Sequence, residues 1–226
     1  MKFKVEIKHV VYFWLLLLTF NAGYMNVAAL IGVDIAIGNH TGNLSNLAIY
    51  MASGDIASIR EIIIAVSSYL IGATVAGFIF YEKKAGESRR FGVILIIYGI
   101  IYLLGIRFIE GAINKLFLFS LIAGSQNGIL TRYRGLTTRT THMTGYLTDV
   151  GVSLGKTLRG DSKCFWQFLF YFVNIVAFIA GGVIATLFPL FLNMFWKLFP
   201  GIMLIFAGTI YIYLIYDIED HEKILS

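Results

Sequence analysis

The sequence contains a single cysteine, Cys164, and only two prolines among its 226 residues. One thiol excludes an internal disulfide and any metal site built from several cysteines. Charged residues make up only 14% of the chain, which is too few for a soluble domain of this length. The shortage of charge therefore points away from a soluble protein and towards a membrane protein.

The sequence also lacks the signatures of common enzyme classes. It contains no His-Glu-x-x-His, no Gly-x-Ser-x-Gly and no phosphate-binding loop. We therefore expect no enzymatic activity, no cofactor and no metal site. The net charge of +5 does not indicate nucleic-acid binding, because the basic residues lie between apolar runs, where membrane topology accounts for them.

Apolar residues are abundant instead: 58% of the chain is hydrophobic and the mean hydropathy is +0.78. A helix of about 20 apolar residues crosses a bilayer. Six runs reach or approach that length, roughly at 10–33, 60–81, 91–109, 112–130, 165–188 and 193–216. The first run has the basic start of a signal peptide but no polar cleavage region, so we expect it to be retained. We predict an all-α membrane protein with one membrane domain, residues 1–226.

Two short motifs occur twice in the same order. Ala22-Gly23-Tyr24-Met25-Asn26 resembles Ala123-Gly124-Ser125-Gln126-Asn127, 101 positions later. Thr41-Gly42-Asn43-Leu44 resembles Thr144-Gly145-Tyr146-Leu147, 103 positions later. A weaker match relates Gly72 and Ala76 to Gly181 and Ala185, and we expect these small residues to mediate close helix packing. The order of the motifs predicts an internal duplication, with repeat 1 at about 8–110 and repeat 2 at about 111–217.

The distribution of Lys and Arg predicts how the repeats cross the membrane. With six spans and cytoplasmic termini, 14 of the 18 Lys and Arg residues lie on the cytoplasmic side. If segments 34–59 and 131–164 also crossed, the division would be 10 to 8. The excess of positive charge inside favours six spans. Each repeat then holds three spans, so the second enters from the opposite side, as in many transporters with inverted repeats.

The Thr-Gly segments are predicted to form short helices at about 42–53 and 145–158, either re-entrant or amphipathic at the surface. We expect Thr41 and Thr144 to be their N-cap residues. If the helices are re-entrant, their N-termini, which attract anions, meet in the interior. The two threonines would then line one polar cavity together with Asn26 and Asn127.

The candidate substrate-binding residues come from both motif copies. They are Asn26, His40, Thr41, Gly42, Asn43, Gln126, Asn127, His142, Thr144, Gly145 and Asp149. Simpler roles remain open: the amides can bond between helices, and the histidines can be loop residues rather than proton carriers. Asp149 replaces Asn46 of the first copy and could bind a cation or lie among lipid headgroups. Trp14, Trp166 and Trp196 are expected to be interface anchors.

The same residues carry a family resemblance. Gly23-Tyr24-Met25-Asn26, His40-Thr41-Gly42-Asn43-Leu44 and the run from Arg139 to Asp149 resemble the YoaK family, over about residues 10–215. These are small bacterial inner-membrane proteins that contain a domain of unknown function. The resemblance implies a six-helix protein of the bacterial cytoplasmic membrane and implies no activity.

From the architecture we expect a transporter or channel, with the lipid bilayer as its surroundings and a small polar or anionic solute bound between the inverted repeats. One alternative is a non-transporting membrane protein that binds a partner or lipid. Another is an intramembrane enzyme that uses His40, His142 and Asp149. The sequence leaves open the solute, the direction of transport and the oligomeric state.

Overall fold

The computed structural model describes residues 7–81, 88–129, 132–133, 136–192 and 195–225. These residues form eight α-helices and one short antiparallel hairpin. In chain order they are α1 (Ile7–Val33), α2 (His40–Ser53), α3 (Ile56–Ile79), α4 (Arg90–Phe108), α5 (Ala112–Ile129), β1 (Arg132–Tyr133), β2 (Leu136–Thr137), α6 (Met143–Leu158), α7 (Lys163–Phe191) and α8 (Phe195–Leu225).

Five helices in the described part of the chain are long and apolar enough to cross a membrane. They are Val11–Val33 of α1, all of α3, α4 and α7, and Phe195–Tyr213 of α8. The chain is therefore a multi-pass membrane protein. The remaining predicted span, α5, has 18 residues but is not among these five.

The polar residues of α5 explain its low hydropathy. Ser120, Ser125, Gln126 and Asn127 are all buried, and α5 packs against α3, α4 and α1. Polar side chains inside a membrane protein are tolerated where they face protein partners rather than lipid. Helix α5 is thus an interior helix whose composition reflects its neighbours.

Close contacts between glycines and backbone carbonyls hold the long helices together in pairs. A Cβ added to Gly72 of α3 would overlap the carbonyl oxygen of Leu121 on α5. A Cβ added to Gly181 of α7 would likewise overlap the carbonyl oxygen of Phe20 on α1. Ala76 and Ala185 are fully buried. The predicted role of these small residues in close helix packing is confirmed.

The third tight pair is formed by α4 and α8. Gly92 lies against Gly208, and Gly99 lies against Gly201. A Cβ added to Gly99 would lie only 2.6 Å from the carbonyl oxygen of Gly201. Side chains larger than glycine would therefore push these two helices apart.

The chain doubles back on itself after α1. The backbone N–H of Gly38 donates to Oδ1 of Asn26 at 2.9 Å. Asn26 lies seven residues before Val33, the last residue of α1, which corresponds to about 10 Å of helix. Segment 34–39 therefore returns along α1 by that depth before α2 begins. The reversal includes Asp34, whose φ of 56° is in the left-handed region.

The prediction that Trp14 is an interface anchor is wrong. Its side chain is fully buried, with its ring centroid 4.3 Å from that of Tyr211 and 6.3 Å from that of Phe91. Trp14 lies two turns inside α1, which begins at Ile7, and it faces α4 and α8. The neighbouring Phe13 is the exposed aromatic residue at this level.

Candidate functional site

The N-terminal ends of α2 and α6 meet at one cavity of about 150 Å³. Thr41 and Thr144 both line it, as the sequence predicted for re-entrant helices, and so do His40 and His142. The other lining residues are Gly38, Asn39, Tyr69, Arg139, Thr141 and Met143. The site cavity, as we call this space, therefore brings together residues from both motif copies and one residue from α3.

The two threonines are not the N-cap residues that we predicted. Helix α2 begins at His40 with Asn39 as its N-cap, and α6 begins at Met143 with His142 in that position. The side chain of Asn39 accepts the N–H of Gly42 at 3.4 Å. Asparagine is at least as good a cap as threonine, which explains the earlier start of α2, whereas the side chain of His142 makes no capping bond in α6. The threonine side chains are left exposed.

Asn127 anchors the loop that precedes α6. Its Oδ1 accepts the hydroxyl of Thr140 at 2.8 Å and the N–H of Thr141 at 3.2 Å. Its Nδ2 donates to the hydroxyls of Thr141 and Tyr69. Asn26 does the same for the first copy through its bond to Gly38. Neither asparagine lines the site cavity, contrary to our prediction; each instead positions the loop that does.

The two loops touch where the asparagines hold them. A Cβ added to Gly38 would lie 2.7 Å from the methyl carbon of Thr141. These two residues are 103 positions apart, the same offset as the Thr-Gly motifs. Gly38 is thus required for the two loops to approach, and this approach brings the helix N-termini to one cavity.

The two histidines have different surroundings. His40 is half-buried and its ring lies on that of Tyr69, with centroids 4.2 Å apart. Burial lowers the pKa of His40, and a hydrogen bond with the backbone of Ile37 partly offsets this by raising it. His142 is exposed, and its ring covers Gly145, where a Cβ would overlap it. The histidines are therefore not equivalent, because they stand one position apart in the two copies.

The charge around the site cavity favours an anion. Arg139 lines it, and none of the described residues that line it is Asp or Glu. Two helix N-termini add partial positive charge. Asp149, which we predicted near the site, does not line the cavity and instead lies near Tyr171 on α7. The His40, His142 and Asp149 set of the enzyme alternative is therefore not assembled around this cavity.

The remaining candidate residues contact the loops around the site cavity but do not line it. Asn43 is buried and its Nδ2 donates to the carbonyl of Ala36 at 2.7 Å. Gln126 donates to the carbonyl of Leu18 at 3.0 Å and to the hydroxyl of Thr140 at 3.2 Å. Gly42 lies against the Asn39 side chain. These contacts shape the loops without reaching the site cavity itself.

Sequence analysis missed Arg139, Tyr69, Gly38 and Asn39 as lining residues. The matching offset of Gly38 and Thr141 could have identified Gly38, and Asn39 three residues before Gly42 has the spacing of an N-cap bond. Arg139 lay inside a motif that we had singled out. Tyr69 has no local signal, because it reaches the site only through the packing of α3 on α5.

Comparison with known proteins assigns no chemistry to this site. A family model described as "Protein of unknown function (DUF1275)" matches residues 14–211. No curated protein and no solved structure matches the chain.

Proposed function

The chain belongs to the DUF1275 family of proteins of unknown function, and we propose that it moves a small anion across the membrane by way of the site cavity. The observation that carries the proposal is the meeting of two helix N-termini, α2 and α6, beside Arg139. Anions bind at such ends because N–H groups without partners and the helix dipole both favour negative charge. A cavity with this lining rejects cations by the same electrostatics.

We further propose that α5 is a sixth span and that the chain forms two inverted repeats, about 8–110 and 111–217. The helix contacts support this. Gly72 and Gly124 join α3 to α5, and Gly181 and Gly23 join α7 to α1. If each residue is replaced by its counterpart in the other half, the contacts of Gly72 and Gly124 become those of Gly181 and Gly23. The same replacement converts the Gly92–Gly208 contact of α4 and α8 into the Gly201–Gly99 contact.

Loops that return into the protein are consistent with a transport path. Irregular backbone at membrane depth is tolerated only where it is buried in protein or lines a cavity. Segment 34–39 returns about 10 Å along α1 and ends at the site cavity. Sites between inverted repeats are a recurring feature of secondary transporters.

The proposal includes finer assignments that rest on the sequence. These are the YoaK-like subgroup, the bacterial inner membrane and cytoplasmic N- and C-termini. The distribution of Lys and Arg supports the cytoplasmic termini. The run from Arg139 to Asp149 supports the YoaK-like subgroup and with it the bacterial inner membrane.

Anion flux in proteoliposomes tests the transport proposal. Potential-driven uptake of chloride, nitrate, formate, acetate and inorganic phosphate would be compared with that into protein-free liposomes. We expect at least one anion to be taken up faster, and we expect Arg139→Gln to lower that uptake. Lys156→Gln, which changes an exposed cation outside the site cavity, is the matched control. If no anion moves faster than in empty liposomes, the transport proposal is wrong, and lipid or partner binding becomes the better assignment.

Cysteine labelling tests the six-span topology. The predicted topology offers Gly86 and Gly135 as labelling positions, but both lie outside the described residues. Ser53 and Ser162 are described and exposed, so they are used instead. With Cys164 replaced by Ser, we expect Ser53→Cys to be labelled only from outside the cell and Ser162→Cys only from the cytoplasm. Labelling of both from one side would contradict six spans.

A further inference from the structure

A larger cavity of about 300 Å³ lies at a different place in the bundle, where α1 ends and α5 and α8 begin. Its volume is at the lower end of the range for small-molecule sites. It shares no lining residue with the site cavity. We call it the basic cavity because most of its wall is apolar but two lysines line it, Lys115 on α5 and Lys197 on α8.

The two lysines are not neutralised. No Asp or Glu is among the described residues that line the basic cavity, and neither lysine forms an ion pair within the described part of the chain. The ammonium group of Lys197 lies 5.5 Å from the centre of the Trp196 ring, which also lines the cavity. An anion with an apolar body fits such a cavity, because its charge would pair with the two cations and its apolar part would lie against the apolar wall.

Tyr102 adds a third polar group to the wall of the basic cavity. Tyr102 on α4 lines the basic cavity and is only 4% exposed, yet its hydroxyl has no hydrogen-bond partner among the described residues. Its ring is stacked on Phe119, with centroids 4.3 Å apart, which fixes its direction. The hydroxyl is not among the polar atoms that are sealed from solvent, so it is free to donate a hydrogen bond to a group inside the cavity. A bound ligand would provide that partner.

We infer that the basic cavity binds an amphipathic monoanion, such as a medium-chain fatty acid or an aromatic carboxylate. The anionic group would be held by Lys115 and Lys197 and accept a hydrogen bond from Tyr102. The apolar body would lie against Met25, Ala29 and Phe119. This inference does not depend on transport through the site cavity, because binding here requires none of its residues.

Binding of radiolabelled octanoate to the full chain in zwitterionic nanodiscs tests the inference, with empty nanodiscs subtracting the lipid background. We expect saturable octanoate binding and no saturable binding of acetate, octanol or octylamine. Acetate lacks the apolar body, octanol lacks the charge, and octylamine carries the opposite charge. Tyr102→Phe should weaken octanoate binding while keeping the stacking on Phe119. The double variant Lys115→Met with Lys197→Met should weaken it by roughly tenfold or more.

Matched variants separate occupancy of the cavity from general damage. Gly32 lines the basic cavity and Gly77 faces away from it on α3, and in both cases an added Cβ would meet nothing within 4 Å. We expect Gly32→Phe to abolish octanoate binding and Gly77→Phe to preserve it. Lys156→Met should also preserve it. Equal binding of octanoate and octylamine, or unchanged octanoate affinity in the double lysine variant, would overturn the inference.

The anion could come from a free acid or from a lipid headgroup with one acyl chain in the cavity. Repeating the measurement in nanodiscs that contain phosphatidylglycerol distinguishes the two sources. Displacement of octanoate by the anionic lipid in the wild type would identify a lipid as the occupant of the same site. Unchanged octanoate binding would identify a free acid. A failure of transport with octanoate binding retained would refute the proposed function alone.

Discussion

The two ends of the helix bundle differ, although the repeats that we propose would place corresponding positions at them. At one end Trp14 and Tyr211 are fully buried and their rings are in contact. The positions 101 and 109 residues away are Lys115 and Tyr102, and these line the basic cavity. A tryptophan fills the space between the helices, whereas a lysine leaves it open and charged. If the two halves are repeats, as we propose, a change of side chain at one repeated position separates the packed end from the hollow end.

This difference bears on the transport proposal. A transporter built from inverted repeats alternates between states that are open to opposite sides. A bundle that is packed with aromatic residues at one end and hollow at the other has the asymmetry expected of one such state. The packed cluster of Trp14, Phe91 and Tyr211 would then have to separate in the other state.

Emptying the packed end should have the largest effect on stability. Trp14→Ala removes a fully buried ring and leaves a cavity, which is expected to lower the free energy of unfolding by about 3–5 kcal/mol. Phe13→Ala is the control, because Phe13 is half-exposed on the same turn. Denaturant unfolding in detergent micelles measures both. Equal losses for the two variants would show that the aromatic cluster does not stabilise this end.

Matching glycines in the two halves should respond alike. Gly72→Leu and Gly181→Leu each force a side chain into a backbone carbonyl, which is expected to cost roughly 1–3 kcal/mol or more. Gly77→Leu should be nearly neutral, because an added Cβ there meets nothing within 4 Å. Thermal unfolding in detergent provides the measurement. A large loss at Gly181 combined with none at Gly72 would break the equivalence of the two halves.

The two anchoring asparagines should differ in the size of their effect. Asn127→Ala removes three bonds to the loop before α6 and one to Tyr69, so we expect a loss of about 1–3 kcal/mol. Asn26→Ala removes the single bond to Gly38 and should cost about 0.5–1.5 kcal/mol. Chemical unfolding compares them. A larger loss at Asn26 would contradict the contacts described here.

Acidification should destabilise the folded chain through His40, which is the smallest of these effects. The pKa of His40 in the folded chain lies below its ordinary value of 6.5, so the unfolded chain binds the proton more readily. The contribution of neutral His40 to stability is therefore present above about pH 6.5 and is lost as the pH falls towards the folded pKa. Melting temperatures at about pH 7.5 and 5.5 should differ less in His40→Gln than in wild type. An unchanged dependence in His40→Gln would exclude His40 as its source.

Much of the site was accessible from the repeated motifs. Thr41 and Thr144 were predicted to share a cavity and they do, because the two loops carry the same signals at a constant offset. The prediction that Asn26 and Asn127 line that cavity was wrong. A motif shows that Asn26 and Asn127 matter in both copies, but the partners of their amides, Gly38 and Thr141, depend on how each loop folds back.

The sequence by itself determined where the helices run and that the chain is a membrane protein. The length of an apolar run and the charge beside it are local properties of the sequence, and they decide which segments enter a bilayer. The repeated motifs also predicted which positions correspond between the two proposed halves. Only the tertiary structure decided which side of each helix faces inward. Trp14 and Phe13 are neighbours of similar character, yet one is buried and the other half-exposed. Tyr69 meets His40 only through helix packing, because contacts between distant residues follow from the arrangement of whole helices rather than from any short stretch of sequence.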